Sequence, residues 1–180
     1  KETGFDTVRI PVTWDNHLSG DNTIDPAWLA RVKQVVDYAY ACDLYVIIDI
    51  HHDRWVSPTY ARKGHVTVMT QSIWTQIADY FRDYDNHLIF EGFNEPRLQD
   101  TDYEWTGTQE GYDMVNKIMN CFVKTVRATG GGNSTRYLMI DAYASGDDPV
   151  QLNALEIPQD NHLLLSVHAY EPYQFVQNKE

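Results

Sequence analysis

Leu88-Ile89-Phe90-Glu91-Gly92-Phe93-Asn94-Glu95-Pro96 is an apolar run that stops abruptly in an amide, a carboxylate and a proline. Proline has no N–H for a sheet ladder and biases the residue before it to extended geometry, which predicts a strand ending at Glu95. A carboxylic acid placed there suits proton transfer to a leaving oxygen. Desolvation by its apolar neighbours and repulsion from a second carboxylate would raise its pKa toward neutrality. Breaking a glycosidic bond needs such an acid, and an amide beside it can hold the sugar 2-hydroxyl. The alternative is a surface carboxylate in a turn before proline.

Other residues could share a site with Glu95. Strand alternation would put Glu91 on the same face but deeper, where a buried carboxylate needs a partner, and Arg9 is the candidate. A buried arginine forking onto a carboxylate holds it ionised and oriented. His51 and His52, with Asp53, follow a second apolar run; His168 and Tyr170 follow the last one. Adjacent histidines at a strand end point to opposite sides, so one of them could share a metal with His168. Neutral imidazoles that bond hydroxyl groups fit equally well. Trp14, Trp55, Tyr143, Tyr170 and Tyr173 fall just past predicted strands, where aromatic faces could stack on pyranose rings. Trp28, Trp74 and Phe122 lie on helical stripes and are expected in the core.

Residues 5–12, 44–50, 88–95, 137–141 and 163–168 read as strands. The second is almost continuously apolar, as expected of a parallel strand buried on both faces. Between the strands lie helical patterns: one opened by Asp25-Pro26, one over residues 71–84 after a polar loop from His51 to about Thr70, and one striped by Met114, Ile118, Met119, Phe122 and Val126. Regular strand–helix alternation means parallel β/α units. A doubly wound sheet is the rival, but no Gly-rich phosphate turn follows any strand. Polar or aromatic residues just past each strand are the layout of a (β/α)8 barrel mouth. Such a barrel takes about 250 residues and eight strands. The chain opens on what reads as a helix tail and stops in a loop, so residues 1–180 are expected to form one domain, a partial TIM barrel running from about strand 2 to strand 6.

The formal net charge of -12 argues against nucleic acid or an anionic membrane as partner. Cys42 and Cys121 supply neither a metal spacing nor a disulfide framework. No stretch approaches the length of a membrane span, and Lys1-Glu2-Thr3-Gly4 is no signal peptide.

Five motifs in this order resemble glycoside hydrolase family 5, the cellulase-type retaining barrels. They are Val8-Arg9-Ile10-Pro11-Val12, Ile48-Asp49-Ile50-His51-His52, Gly92-Phe93-Asn94-Glu95-Pro96, the strand end carrying Tyr143, and Ser166-Val167-His168-Ala169-Tyr170. The resemblance implies a secreted endo-β-1,4-glucanase acting on cellulose, xyloglucan or mixed-linkage glucan without a cofactor or metal. It makes Glu95 the general acid/base, has Arg9 support the nucleophile and Asn94 hold the 2-hydroxyl, and lines the cleavage subsite with His51, His168 and Tyr170. His52 and Trp55 would bind sugar on the non-reducing side. The family's nucleophilic Glu, in a Gly-Glu-Phe/Tyr-Gly motif on strand 7, and the Trp of strand 8 have no counterpart here. The 180 residues alone are therefore expected to be inactive and to need the missing strands, supplied by a complementing chain if not by the same one. A non-catalytic β-glucan-binding barrel is the alternative.

Overall fold

The computed structural model describes residues 3–177, apart from the side chain of Tyr173. Five parallel strands, β1 (Thr7–Ile10), β2 (Tyr45–Ile48), β3 (Leu88–Glu91), β4 (Leu138–Asp141) and β5 (Leu163–Ser166), form one sheet in sequential order. Each is followed by a crossover or turn carrying α1 (Pro26–Ala41), α2 (Lys63–Tyr80), α3 (Gln109–Ala128), α4 (Pro149–Asn153) and α5 (Tyr173–Val176). This is the progressive winding of a β/α barrel wall. The helix tail expected at the start falls partly on Lys1 and Glu2, outside the described residues.

The pleat sorts the side chains. Val46, Ile48, Leu88, Phe90, Leu138 and Ile140 face the helices and form a buried layer with Val32, Val36, Ile73, Trp74, Ile77, Ile118 and Phe122. The concave face carries Arg9, Glu91, Asp141 and Ser166 instead, with Asp49 just past the end of β2. One face is thus a helix-packed core and the other an ionic interior. The expectation that the second strand is buried on both faces is corrected accordingly: β2 alternates, with Tyr45 exposed and Ile47 part-exposed on the concave side, which the described strands do not close over.

Asp25 caps α1 by accepting the Ala27 amide, with Pro26 in the first turn. Two boundaries differ from the sequence expectation. α2 begins at Lys63, not residue 71. The β-branched run Val66, Thr67, Val68 and Gly64 disguises its first turns, but Val66, Met69, Thr70 and Ile73 continue the buried stripe against α3. The Thr67 and Thr70 hydroxyls are satisfied by the Lys63 and Val66 carbonyls. β3 stops at Glu91, four residues before Glu95. Gly92 makes the bend possible: a Cβ there would lie 2.9 Å from a Phe122 ring carbon, so only glycine lets the strand end pass this close to α3. Trp74 and Phe122 are fully buried, whereas Trp28 is only half-buried and stacks on His17 at 3.9 Å.

Candidate active site

The strand ends converge on an ionic network. Arg9 bonds Glu91 through Nε, and its Nη2 lies 2.8 Å from Asp49 Oδ2 and 3.0 Å from Asn94 Oδ1. Ser166 Oγ donates to the other Glu91 oxygen at 2.8 Å. His51 Nδ1 sits 2.8 Å from Asp49 Oδ2. Glu91 is therefore fully engaged in holding Arg9, and Arg9 in turn orients the amide of Asn94, whose backbone N–H is fixed on the Ile50 carbonyl at 2.9 Å. Each buried charge is paired, as a low-dielectric setting demands.

Glu95 stands apart from this network. Its carboxylate lies 2.8 Å from His168 Nδ1 and 3.3 Å from Arg97 Nη1. The His168 bond, opposed by burial and aided by the nearby His168, Arg97 and His52 charges, holds its pKa below the usual carboxylate value. This reverses the expected upward shift, because among the described residues cationic and N–H donors face it. Its backbone is also corrected: φ is +47°, left-handed rather than the extended form expected before proline. The ladder has already ended, so 91, 93 and 95 do not share a face; Phe93 is buried in the core, edge-on to Trp55 at 5.9 Å. His52 is also left-handed, at φ +58°. Burial, then the charges of His51 and Arg97, pushes its pKa down.

Glu95, Trp105, Ala144, Gln151, His168 and Tyr170 help to line an open cleft of about 450 Å³. A larger groove of about 690 Å³ runs between α2 and α3 on the outer face, and no strand-end residue lines it. The cleft beside Glu95 is the site with chemistry in it. A carboxylate, an imidazole and a guanidinium in contact can hold and release a proton, while Asn94, His51 and Tyr170 offer polar groups to hydroxyls.

The structure thus brings Arg9, His51, Asn94, Glu95, His168 and Tyr170 to one end of the sheet, with His52 packed edge-on to His51 at 4.4 Å. The aromatic groove is corrected. Trp14, Trp55 and Tyr143 are buried, Trp55 only 5% exposed, because their polar tips serve buried backbone and carboxylate groups. Trp14 Nε1 donates to the Asp49 carbonyl, Trp55 Nε1 to Asp53, and the Tyr143 hydroxyl joins Leu98 N–H to the Tyr103 and Glu104 carbonyls. Trp55 therefore presents no open ring to a ligand. Tyr170 is half-exposed, and the side chain of Tyr173 lies outside the described residues.

Sequence reasoning missed Arg97 and Trp105. The Arg97 guanidinium bridges Glu95 and Glu104 and lies 4.3 Å from the centre of the Trp105 ring, which is 59% exposed at the cleft. Arg97 follows Glu95 by two residues, and that spacing was the available signal. His51 and His168 turn to different carboxylates. Among the described residues, no group of three His, Cys, Asp or Glu side chains is arranged to hold a metal ion. No described helix is long and apolar enough to cross a membrane.

Comparison with known proteins agrees with this geometry. The model for cellulase (glycosyl hydrolase family 5) matches residues 1–180. Endoglucanase A of Clostridium longisporum is 48% identical over 180 residues, covering 99% of this chain and 35% of that protein. A solved broad-specificity endoglucanase from the same organism superposes with a TM-score of 0.95 at 48% identity, over 97% of this chain and 51% of that one. A xyloglucan-specific endo-β-1,4-glucanase from a metagenomic library, solved with cellotriose, gives 0.94 at 41% identity, over 97% and 53%. The chain spans about half or less of the length of these relatives.

Proposed function

The chain belongs to glycosyl hydrolase family 5, and from that membership we propose that the intact protein is a retaining endo-β-1,4-glucanase in which Glu95 is the general acid/base. The observation that carries the proposal is the buried Glu95 carboxyl, gripped by His168 and Arg97 and lining the cleft with Trp105 and Tyr170. Cellotriose in one solved relative, and the names of the others, support a β-1,4-linked glucose backbone as the ligand. Such a polymer is too large to enter a cell, which supports a secreted enzyme.

In the first step Glu95 gives its proton to the glycosidic oxygen while a second carboxylate attacks the anomeric carbon. The C–O bond breaks with its electron pair on the departing, now protonated, oxygen. In the second step Glu95 takes a proton from the water that displaces the enzyme carboxylate. The second carboxylate belongs to a strand that closes the barrel, from the rest of the protein or from a complementing chain. At about 5–5.5 Å its charge would raise the Glu95 pKa for the acid step. Once esterified it loses that charge, and Glu95 returns to the depressed state seen here, which suits a base. Asn94, oriented by Arg9, accepts from or donates to the 2-hydroxyl. His51, His168 and Tyr170 border the reacting sugar, and His52 the next sugar on the non-reducing side.

Glu95→Gln in the intact protein tests this. Release of reducing ends from a soluble β-glucan is expected to fall about 10²–10⁴-fold, with cellotriose affinity by calorimetry changed only a few-fold. Turnover within tenfold of the parent would sink the proposal and favour a barrel that binds glucan without cleaving it.

A further inference from the structure

From the loop after β4, we infer that Ser145 is the positioning residue for the Glu95–His168 pair, with Asp141 as its anchor. Ser145 is buried and holds both partners at once. Its Oγ accepts the backbone N–H of Glu95 at 3.2 Å, and its carbonyl accepts the backbone N–H of His168 at 2.8 Å. The Glu95 carboxylate and the His168 ring then meet at 2.8 Å. Two side chains from the ends of β3 and β5 are thus set against one another by a single residue in the turn that follows β4, the strand between them. Only a donor–acceptor hydroxyl can do this, because the same Oγ must also pass its own proton on. It donates it to Asp141 Oδ1 at 2.7 Å.

The backbone shows what the contact resists. Glu95, Ala144 and Ser145 all adopt left-handed φ values, +47°, +56° and +48°, where residues other than glycine are rare. The two strained turns lie against each other and are cross-linked twice, by Ser145 Oγ and by the Ala144 N–H on the Pro96 carbonyl at 3.0 Å. Without the serine hydroxyl the Glu95 N–H is a buried donor with no partner, and the turn carrying the carboxyl is free to relax toward the extended form that proline favours.

Asp141 is fully buried, and its Oδ2 has no hydrogen-bond partner among the described residues. Burial first, then the Glu91 and Asp49 charges, holds its pKa well above the usual carboxylate value, against the opposing pull of Ser145 and Arg9. A carboxyl biased toward its neutral form fits an anchor: it accepts the serine hydroxyl's hydrogen bond while adding less charge beside Glu91. It transfers nothing to substrate. Its part is to fix the orientation of the Ser145 hydroxyl.

This inference rests on Glu95 being the proton donor, and leaving-group chemistry separates the two claims. A glycoside with a poor leaving group, phenyl β-cellobioside, needs a well-placed acid, whereas 2,4-dinitrophenyl β-cellobioside departs without one. In the intact protein, Ser145→Gly suits the left-handed backbone and removes only the hydroxyl side chain; Ser145→Ala provides a second test of the same loss. Either variant should lower kcat/KM for the phenyl substrate about 10–100-fold and for the dinitrophenyl substrate less than about threefold. Asp141→Leu should repeat that pattern, and Asp141→Asn, which keeps an acceptor for the serine proton, should restore most of the loss. Equal losses on both substrates would overturn the inference, since they would mark Ser145 as merely structural. Glu95→Gln serves as the reference. If it lacks the leaving-group dependence, the acid/base reading fails and this inference falls with it; if it shows the dependence and Ser145→Gly does not, only the inference falls.

Discussion

Glu95, Asp53 and Asp141 are carboxyl groups in the same strand-end region, and their surroundings drive them apart. Glu95 faces an imidazole and a guanidinium and is held low. Asp141 faces other carboxylates and is held high. Asp53 accepts the Trp14 N–H at 2.8 Å and the Trp55 Nε1–H at 3.0 Å, yet burial outweighs both and pushes it up to about 6. For Asp53 the folded state binds the proton more tightly than the unfolded chain does, so its contribution to stability is complete below about pH 4 and fades as pH rises through 6. Asp53→Asn removes the titration. The loss of stability of the intact protein between pH 4 and pH 7, read from urea unfolding at both values, should then shrink by about 2–3 kcal/mol. An unchanged pH dependence would show that the hydrogen bonds from the Trp14 backbone and the Trp55 indole keep Asp53 ionised throughout.

At the level of elements, Arg136 holds the turn between α2 and β3 against the start of β4. It is fully buried, and its guanidinium donates to the carbonyls of Phe81, Tyr84, Asp85 and Leu88 at 2.8–3.1 Å and to Asn133 Oδ1 at 2.8 Å. Desolvation pushes its pKa down to about 10, which still leaves it charged at neutral pH. Arg136→Met would strand four carbonyls in a dry pocket and is expected to cost about 3–5 kcal/mol, seen as a lower urea midpoint of the intact protein. Arg136→Lys, with fewer donors and no fork, should fall between. A loss below about 1 kcal/mol would mean that water replaces the guanidinium. This residue also marks where sequence reading stops. Apolar runs and helical stripes disclosed all five strands and the faces of α1 to α3, because burial imposes period and composition locally. That an arginine would serve carbonyls some fifty residues earlier is a tertiary fact with no local signature. Residue type placed Trp14, Trp55 and Tyr143 at strand ends, but not which way their rings turn; polar tips with buried partners drew them inward. Asn94-Glu95-Pro96 was legible as a candidate site at a strand end, whereas the left-handed Glu95 backbone was not, since the contact opposing the proline bias comes from Ser145 in the turn after the next strand.

The five strands, taken as a whole molecule, make a curved wall with two edges. Among the described residues β1 and β5 each pair on one side only, so each leaves a row of backbone donors and acceptors open. Beside them Phe5, Leu165 and Val167 are exposed, and Leu164 is at the border of exposure on the concave side of β5. The polar cluster of Arg9, Glu91, Asp49 and Asp141 fills the concave face rather than an apolar plug, so the wall does not seal itself by collapse. The net charge of -12 works against association at low salt and is screened at about 0.15 M. The 180 residues produced alone are therefore expected to self-associate through the β1 and β5 edges, increasingly so with salt. Sedimentation at several concentrations should show oligomers, and reducing-sugar assays should show no Glu95-dependent turnover, because among the described residues no second carboxylate stands across the cleft. Mixing in a separately produced chain that carries the closing strands should shift the population toward a single complex and restore turnover together with it. A monomer that melts sharply and independently of concentration would show instead that the wall protects its own edges. Turnover by that monomer, lost in Glu95→Gln, would require a nucleophile within these 180 residues and would overturn the assignment of that role to a closing strand.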